Sequence, residues 1–252
     1  KARRSDLHFQ WKEARNGDEF ALNGTGVNGV AVTKMAVNEI PRAGAAFVVD
    51  GGRYNKNGHT GIVESVEILE ANRDSVTYRL NITDYNNNED GIFRQRDVWV
   101  KINHTTGEYF WGDDGQPSES KLTGSEAHPA KIKFIHENAT DYDANFGALD
   151  TALDRLYGSG LLLATKKDGT EINKEVYRSV LYTLISNGAD KAELSELLSI
   201  YADELDRGID PAALATYGSR LIDDSINVDT VLSTIKSSDE WVALHGDGDV
   251  EG

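Results

Sequence analysis

The sequence predicts an α+β fold, a β-rich first part followed by a helical last part, and three observations carry that expectation. The first hundred or so residues are rich in Gly, Asn and β-branched side chains. Within them Val76, Tyr78, Leu80 and Ile82 alternate with Thr77, Arg79, Asn81 and Thr83, the period of two that marks a half-buried strand. Beyond Asp141 the apolar residues recur instead at helical spacing. A chain of 252 residues has room for one large domain or two modest ones. The change of period divides it into residues 1–105, a connecting stretch 106–140, and a helical region 141–252.

Taken in order, Leu7–Ala14 is helix-compatible and Asn16-Gly17 ends it. Strand character follows at Ala45–Val49, Thr60–Leu69, Ser75–Asp84, Ile92–Val100 and Glu108–Trp111. Gly112–Gly124 mixes Gly, Pro, Ser and acids and reads as a surface loop, with one further strand at Lys131–His136. Phe146, Leu149, Leu153 and Leu156 then share one helical face, which Gly158 ends. Ile172, Val176, Val180 and Leu184 define a second helix closed by Asn187-Gly188, and Leu194, Leu197, Leu198, Tyr201 and Leu205 a third. Asp190 and Glu193 stand in capping-box spacing, and Asp210-Pro211 opens a fourth helix with an acidic cap and proline in the first turn. Leu161, Leu162 and Leu163 form a run too continuous for an amphipathic stripe, so a buried contact that docks this helical assembly region against the first domain or a partner is expected there.

Composition narrows the function. A formal net charge of −16 repels phosphate backbones, so no nucleic-acid partner is expected, and Lys1-Ala2-Arg3-Arg4 is too short to reverse that. The absence of cysteine removes disulfides, thiolate metal sites and thiol nucleophiles together. No run of eighteen apolar residues and no signal-peptide pattern occurs, so no membrane insertion is expected. The start at Lys1 rather than methionine is the expectation for a processed or truncated product.

The most informative stretch runs from Pro41-Arg42-Ala43-Gly44 through the apolar Ala45–Val49 to Asn57-Gly58-His59-Thr60-Gly61-Ile62-Val63. It sets an imidazole where a glycine-rich loop enters a strand. Further on, Ile82-Thr83-Asp84-Tyr85-Asn86 precedes a glycine turn at Gly91. Together these blocks, covering roughly residues 5 to 100, resemble a CHAP domain, the papain-like cysteine amidase/peptidase module that cuts bacterial peptidoglycan. The resemblance implies a small antiparallel sheet with an N-terminal helix, His59 at the family's histidine, and Asp84 or Asn86 as the group that orients it. The physical need is an acceptor holding a general-base imidazole in one tautomer. The block His8-Phe9-Gln10-Trp11 then falls where the cysteine-bearing helix start belongs, with Phe9 at the nucleophile position and Trp11 keeping the aromatic. A phenyl ring has no equivalent chemistry.

The resemblance therefore implies a catalytically degenerate module, structural or wall-contacting, in a phage virion such as its tail or in a bacterial envelope. Other subunits of that assembly and peptidoglycan are the expected partners, and the location is the virion or the extracellular envelope. The alternative is an active amidase or endopeptidase whose nucleophile lies elsewhere or on another chain. Plainer readings stand beside each residue. His59 also suits a polar loop residue before a strand, and Asp84 and Asn86 suit an Asn/Asp turn. Asn86-x-Asn88-x-Asp90-Gly91 echoes half of a calcium loop, but Asn86 stands where the first acid is needed and Asp97 where a bidentate glutamate is needed. Ser5 reaches His59 only in a shifted register. No metal or cofactor is expected, and the sequons at Asn23, Asn81, Asn103 and Asn138 imply no glycosylation in so Asn-rich a chain.

Overall fold

The structure is a computed structural model that describes residues 36–38, 40–50, 59–85, 93–113, 131–136 and 139–246. Side chains at 36–38, 50, 59, 85, 93, 113, 131, 136 and 139–146 lie outside that description. The expected helix Leu7–Ala14, and with it Ser5, Phe9 and Trp11, falls outside the described residues, as do Asn86 and the Asn86–Gly91 loop. The fold is α+β, as the change of period predicts, with an antiparallel sheet followed by helices. The chain divides into two compact units, one of residues 1–69 and 77–147, the other of 70–76 and 148–252.

The first unit is built on a sheet with strands β1 (Ala36–Asn38), β2 (Ala46–Asp50), β3 (His59–Ala71), β4 (Ser75–Tyr85), β5 (Phe93–Asn103), β6 (Glu108–Asp113) and β7 (Lys131–His136). Their order is β1-β7-β2-β3-β4-β5-β6, so β2 to β6 form a meander and β7 returns to pair antiparallel with both β1 and β2. The segment 106–140 thus contributes two strands to the sheet. Flat strands spaced about 4.8 Å apart would set β2 and β6 roughly 19 Å from each other. Instead the rings of Phe47 on β2 and Trp111 on β6 lie with centroids 5.6 Å apart, so the sheet curls until β2 and β6 face across one interior.

That interior follows from the alternation. Tyr78, Leu80 and Ile82 of β4 are fully buried, as are Val98 and Val100 of β5, while Arg79 is exposed and Asn81 and Thr83 partly so. In the β5–β6 register Val100 stands opposite Trp111 and Ile102 opposite Tyr109, so β6 adds its aromatics to the same side. Each such residue contributes about 1.5–3 kcal/mol by leaving water. The solvent side is polar: Arg79 meets Glu67, Thr83 meets Glu64, and Asn81 links Gln95 to Asp97. Cross-strand pairs of this kind fix the register that the apolar stripe demands.

The second unit holds α1 (Ala139–Gly158, of which residues 148–158 belong here), α2 (Lys174–Ser186), α3 (Lys191–Leu205), α4 (Pro211–Ile222), α5 (Val228–Lys236) and α6 (Asp239–His245). Short polar side chains start them. Asn173, Asp190, Asp210, Asn227 and Ser238 each accept a backbone N–H of the first turn they precede. The apolar spacings of the sequence bury as predicted: Val176, Val180 and Leu184 in α2, Leu194, Leu197, Leu198, Tyr201 and Leu205 in α3. Gly158 ends α1 as expected, and left-handed Asp206 caps α3.

Of the leucine run, Leu162 is buried inside this same unit, where it forms a parallel bridge with Ile209. Leu163 N–H donates to the Ile209 carbonyl at 3.0 Å and Ile209 N–H to the Leu161 carbonyl at 3.1 Å. Tyr177 seals the crossing, its hydroxyl lying 2.7 Å from the Ile209 carbonyl and 3.0 Å from that of Leu163. The tip of the β3–β4 hairpin also belongs to this unit. Asn72 accepts the N–H groups of Asp74 and Ser75, and Asn173 N–H donates to the Arg73 carbonyl at 2.8 Å, tying the tip to the start of α2.

Candidate functional site

His59 is the first residue of β3 and stands opposite Val49 in the β2–β3 register. Its side chain, like Phe9 and Asn86, is outside the described residues. Two residues on, Gly61 marks the tightest approach in this corner. A Cβ there would meet the Thr83 carbonyl oxygen at 2.5 Å, the Phe47 ring at 2.7 Å and the Asp84 Cβ at 3.0 Å. Glycine is therefore what lets β3 and β4 close around Phe47 beside Asp84. The sequence spacing does bring the His59 end of β3 to the Asp84 end of β4.

Asp84 sits in line with Val76, Tyr78, Leu80 and Ile82, extending the buried stripe by one carboxylate whose side chain is wholly shielded from solvent. A buried ion is stable only when paired and hydrogen-bonded. Its partner is Arg96 on β5, on the same inward side as Val98 and Val100. Arg96 donates from Nε at 2.9 Å and from Nη2 at 2.7 Å, both to Oδ2 of Asp84. Only 14% of the Arg96 side chain is accessible, so little water screens the pair.

Sequence reasoning missed Arg96, and a signal for it was present. Arg94 and Arg96 fall on the apolar phase of β5, and an arginine on the inward side of a strand calls for a buried acid to meet it. Asp84 is expected to orient the His59 imidazole, whose side chain lies outside the described residues; among the described residues Asp84 meets Arg96 at the polar end of the sheet interior.

The titratable groups of the helical unit serve its packing. Burial pushes the Tyr177 and Tyr201 hydroxyls well above the ordinary tyrosine range. Arg207 lies over the Tyr201 ring, 5.2 Å from its centroid, and clasps Glu240 with two hydrogen bonds of 2.9 and 3.0 Å. The hydrogen bonds from Arg207 hold the Glu240 carboxyl below the usual glutamate range, and one from the Trp241 indole does the same for Glu204. Among the described residues, no group of His, Asp and Glu is arranged to hold a metal, and no helix is long and apolar enough to cross a membrane.

No protein-family model, no curated protein and no solved structure matches this chain.

Proposed function

We propose that this chain is a catalytically inactive CHAP-like module, a structural or cell-wall-contacting component of a phage tail or bacterial envelope assembly. The observation that carries the reading is the absence of any cysteine, the nucleophile that the resemblance requires, and the Asp84–Arg96 pair accompanies it. A carboxylate that orients a catalytic imidazole must present an oxygen to the ring nitrogen. Here Oδ2 of Asp84 accepts two hydrogen bonds from the Arg96 guanidinium, so that oxygen already serves a charged partner. The sequence supports the same reading, since without cysteine no thiolate can attack a peptide or amide carbonyl.

The test pairs binding with cleavage. Purified protein is mixed with insoluble peptidoglycan, and the pellet and the turbidity are followed together. Sedimentation with the wall and unchanged turbidity support a wall-contacting module. Unchanged turbidity without sedimentation leaves the structural role and rejects wall contact. Lysis abolished by His59→Ala rejects the inactive reading and restores the alternative of a working hydrolase.

A further inference from the structure

The terminal helix α6 differs from the rest of its unit in what holds it. Helices α2 to α5 each bury apolar side chains, and even the short α5 is anchored by Val231 and Ile235. α6 buries no residue, and its Val242 and Leu244 are exposed. It packs against α3 and α5 with Trp241 half-buried, and polar side-chain contacts tie it down. The first is the Arg207 fork, with Nε on Oε1 and Nη2 on Oε2 of Glu240. The second is the Trp241 indole N–H, which donates to Oε2 of Glu204 at 3.0 Å while Lys236 stands 3.3 Å from the other oxygen of that carboxylate. Lys167 adds only a solvent-exposed contact to Glu240 at 3.7 Å.

These attachments have a different character from the core. Apolar burial scales with area and is lost in proportion to what is uncovered. A forked arginine–carboxylate pair depends on geometry, so its two bonds are made and broken together. Arg207 is itself held by contacts outside α6: it follows left-handed Asp206, donates from Nη1 to the Gly208 carbonyl at 3.1 Å, and lies over the Tyr201 ring. The receiving half of the fastener therefore belongs to the α3–α4 corner and the released half to α6. Segments with few buried apolar contacts occupy the low end of local stability.

We propose that α6 is a hinged strap. It opens as a unit about Ser237–Ser238 while α2 to α5 stay folded, with the Arg207–Glu240 fork as its fastener, and opening returns Arg207 and Glu204 to solvent.

Native-state hydrogen exchange of the full chain in rising, sub-denaturing urea tests this. Amides of α6 are expected to exchange faster than those of α4 and with little dependence on urea. Arg207→Gln is expected to speed exchange in α6 by roughly tenfold or more while leaving α4 unchanged. Glu240→Gln, which keeps an acceptor but loses the charge, is expected to give a smaller acceleration confined to α6. Exchange in α6 with the urea dependence of α4 would show that it opens only when the whole unit unfolds, and would overturn the proposal. Equal acceleration of α4 and α6 in both variants would overturn it too. The wild-type urea dependence decides the matter alone should either variant fail to fold.

Discussion

Arg96→Met removes the guanidinium from the polar end of the sheet interior and leaves the Asp84 carboxylate behind. The burial of the two side chains sets the size of the effect: Asp84 is 0% and Arg96 14% accessible, with bonds of 2.9 and 2.7 Å. Breaking a pair so buried by removing one partner costs about 3–5 kcal/mol. The Arg79–Glu67 pair on the outside of the same sheet provides the contrast. It is 3.0 Å long but 45% and 56% accessible, and Glu67→Ala is expected to cost at most about 1 kcal/mol. Replacing both members of the buried pair, as Asp84→Leu with Arg96→Met, removes the stranded charge and should recover most of the loss. Urea-dependent hydrogen exchange at β4 and β5 amides reports the sheet separately from the helices, which matters in a chain of two units. A single substitution that costs no more than Glu67→Ala, or a double that costs as much as the single, would refute the reasoning.

Gly208→Ala should disrupt the crossing of the two loops in the helical unit, because its Cβ would meet Leu162 and Leu163 backbone atoms at 2.4 and 2.6 Å; a loss of at least roughly 1–3 kcal/mol is expected in thermal melts. Thr183→Val should stabilise that unit by about 1 kcal/mol in urea titrations, since the Thr183 hydroxyl is buried in α2 without a hydrogen bond. Acidification should loosen α6. Glu240 and Glu204 titrate below the ordinary glutamate range in the folded state, so their contribution is full above that range and is lost as the pH falls through their folded values. Amide NMR signals of α6 should move in that acid window, and signals unmoved down to pH values that unfold the chain would contradict the assignment.

Local signals made most of the elements legible. The strict alternation in Val76–Thr83 and the stripe from Leu194 to Leu205 each specify one buried side, and both elements form where expected. Asp190 and Asp210 announce their helices because a short carboxylate caps the first turn whatever packs beyond it. Non-local pairing was not legible. Nothing local to Lys131–His136 tells that it inserts between β1 and β2, since that order depends on register between distant segments. The same holds for the site: Asp84 could be read as a turn residue or an imidazole partner until the β4–β5 pairing set Arg96 against it. Leu162 was legible as buried but not as the neighbour of Ile209.

The hairpin tip has a consequence for any attempt to divide the molecule. Residues 70–76 belong by packing to the helices, although both flanking strand stretches belong to the sheet. A chain cut anywhere between β7 and α2 separates residues 70–76 from the helices they pack with, and leaves the Asn173 N–H without its acceptor at Arg73. The helical product therefore lacks residues 70–76, which pack within its unit.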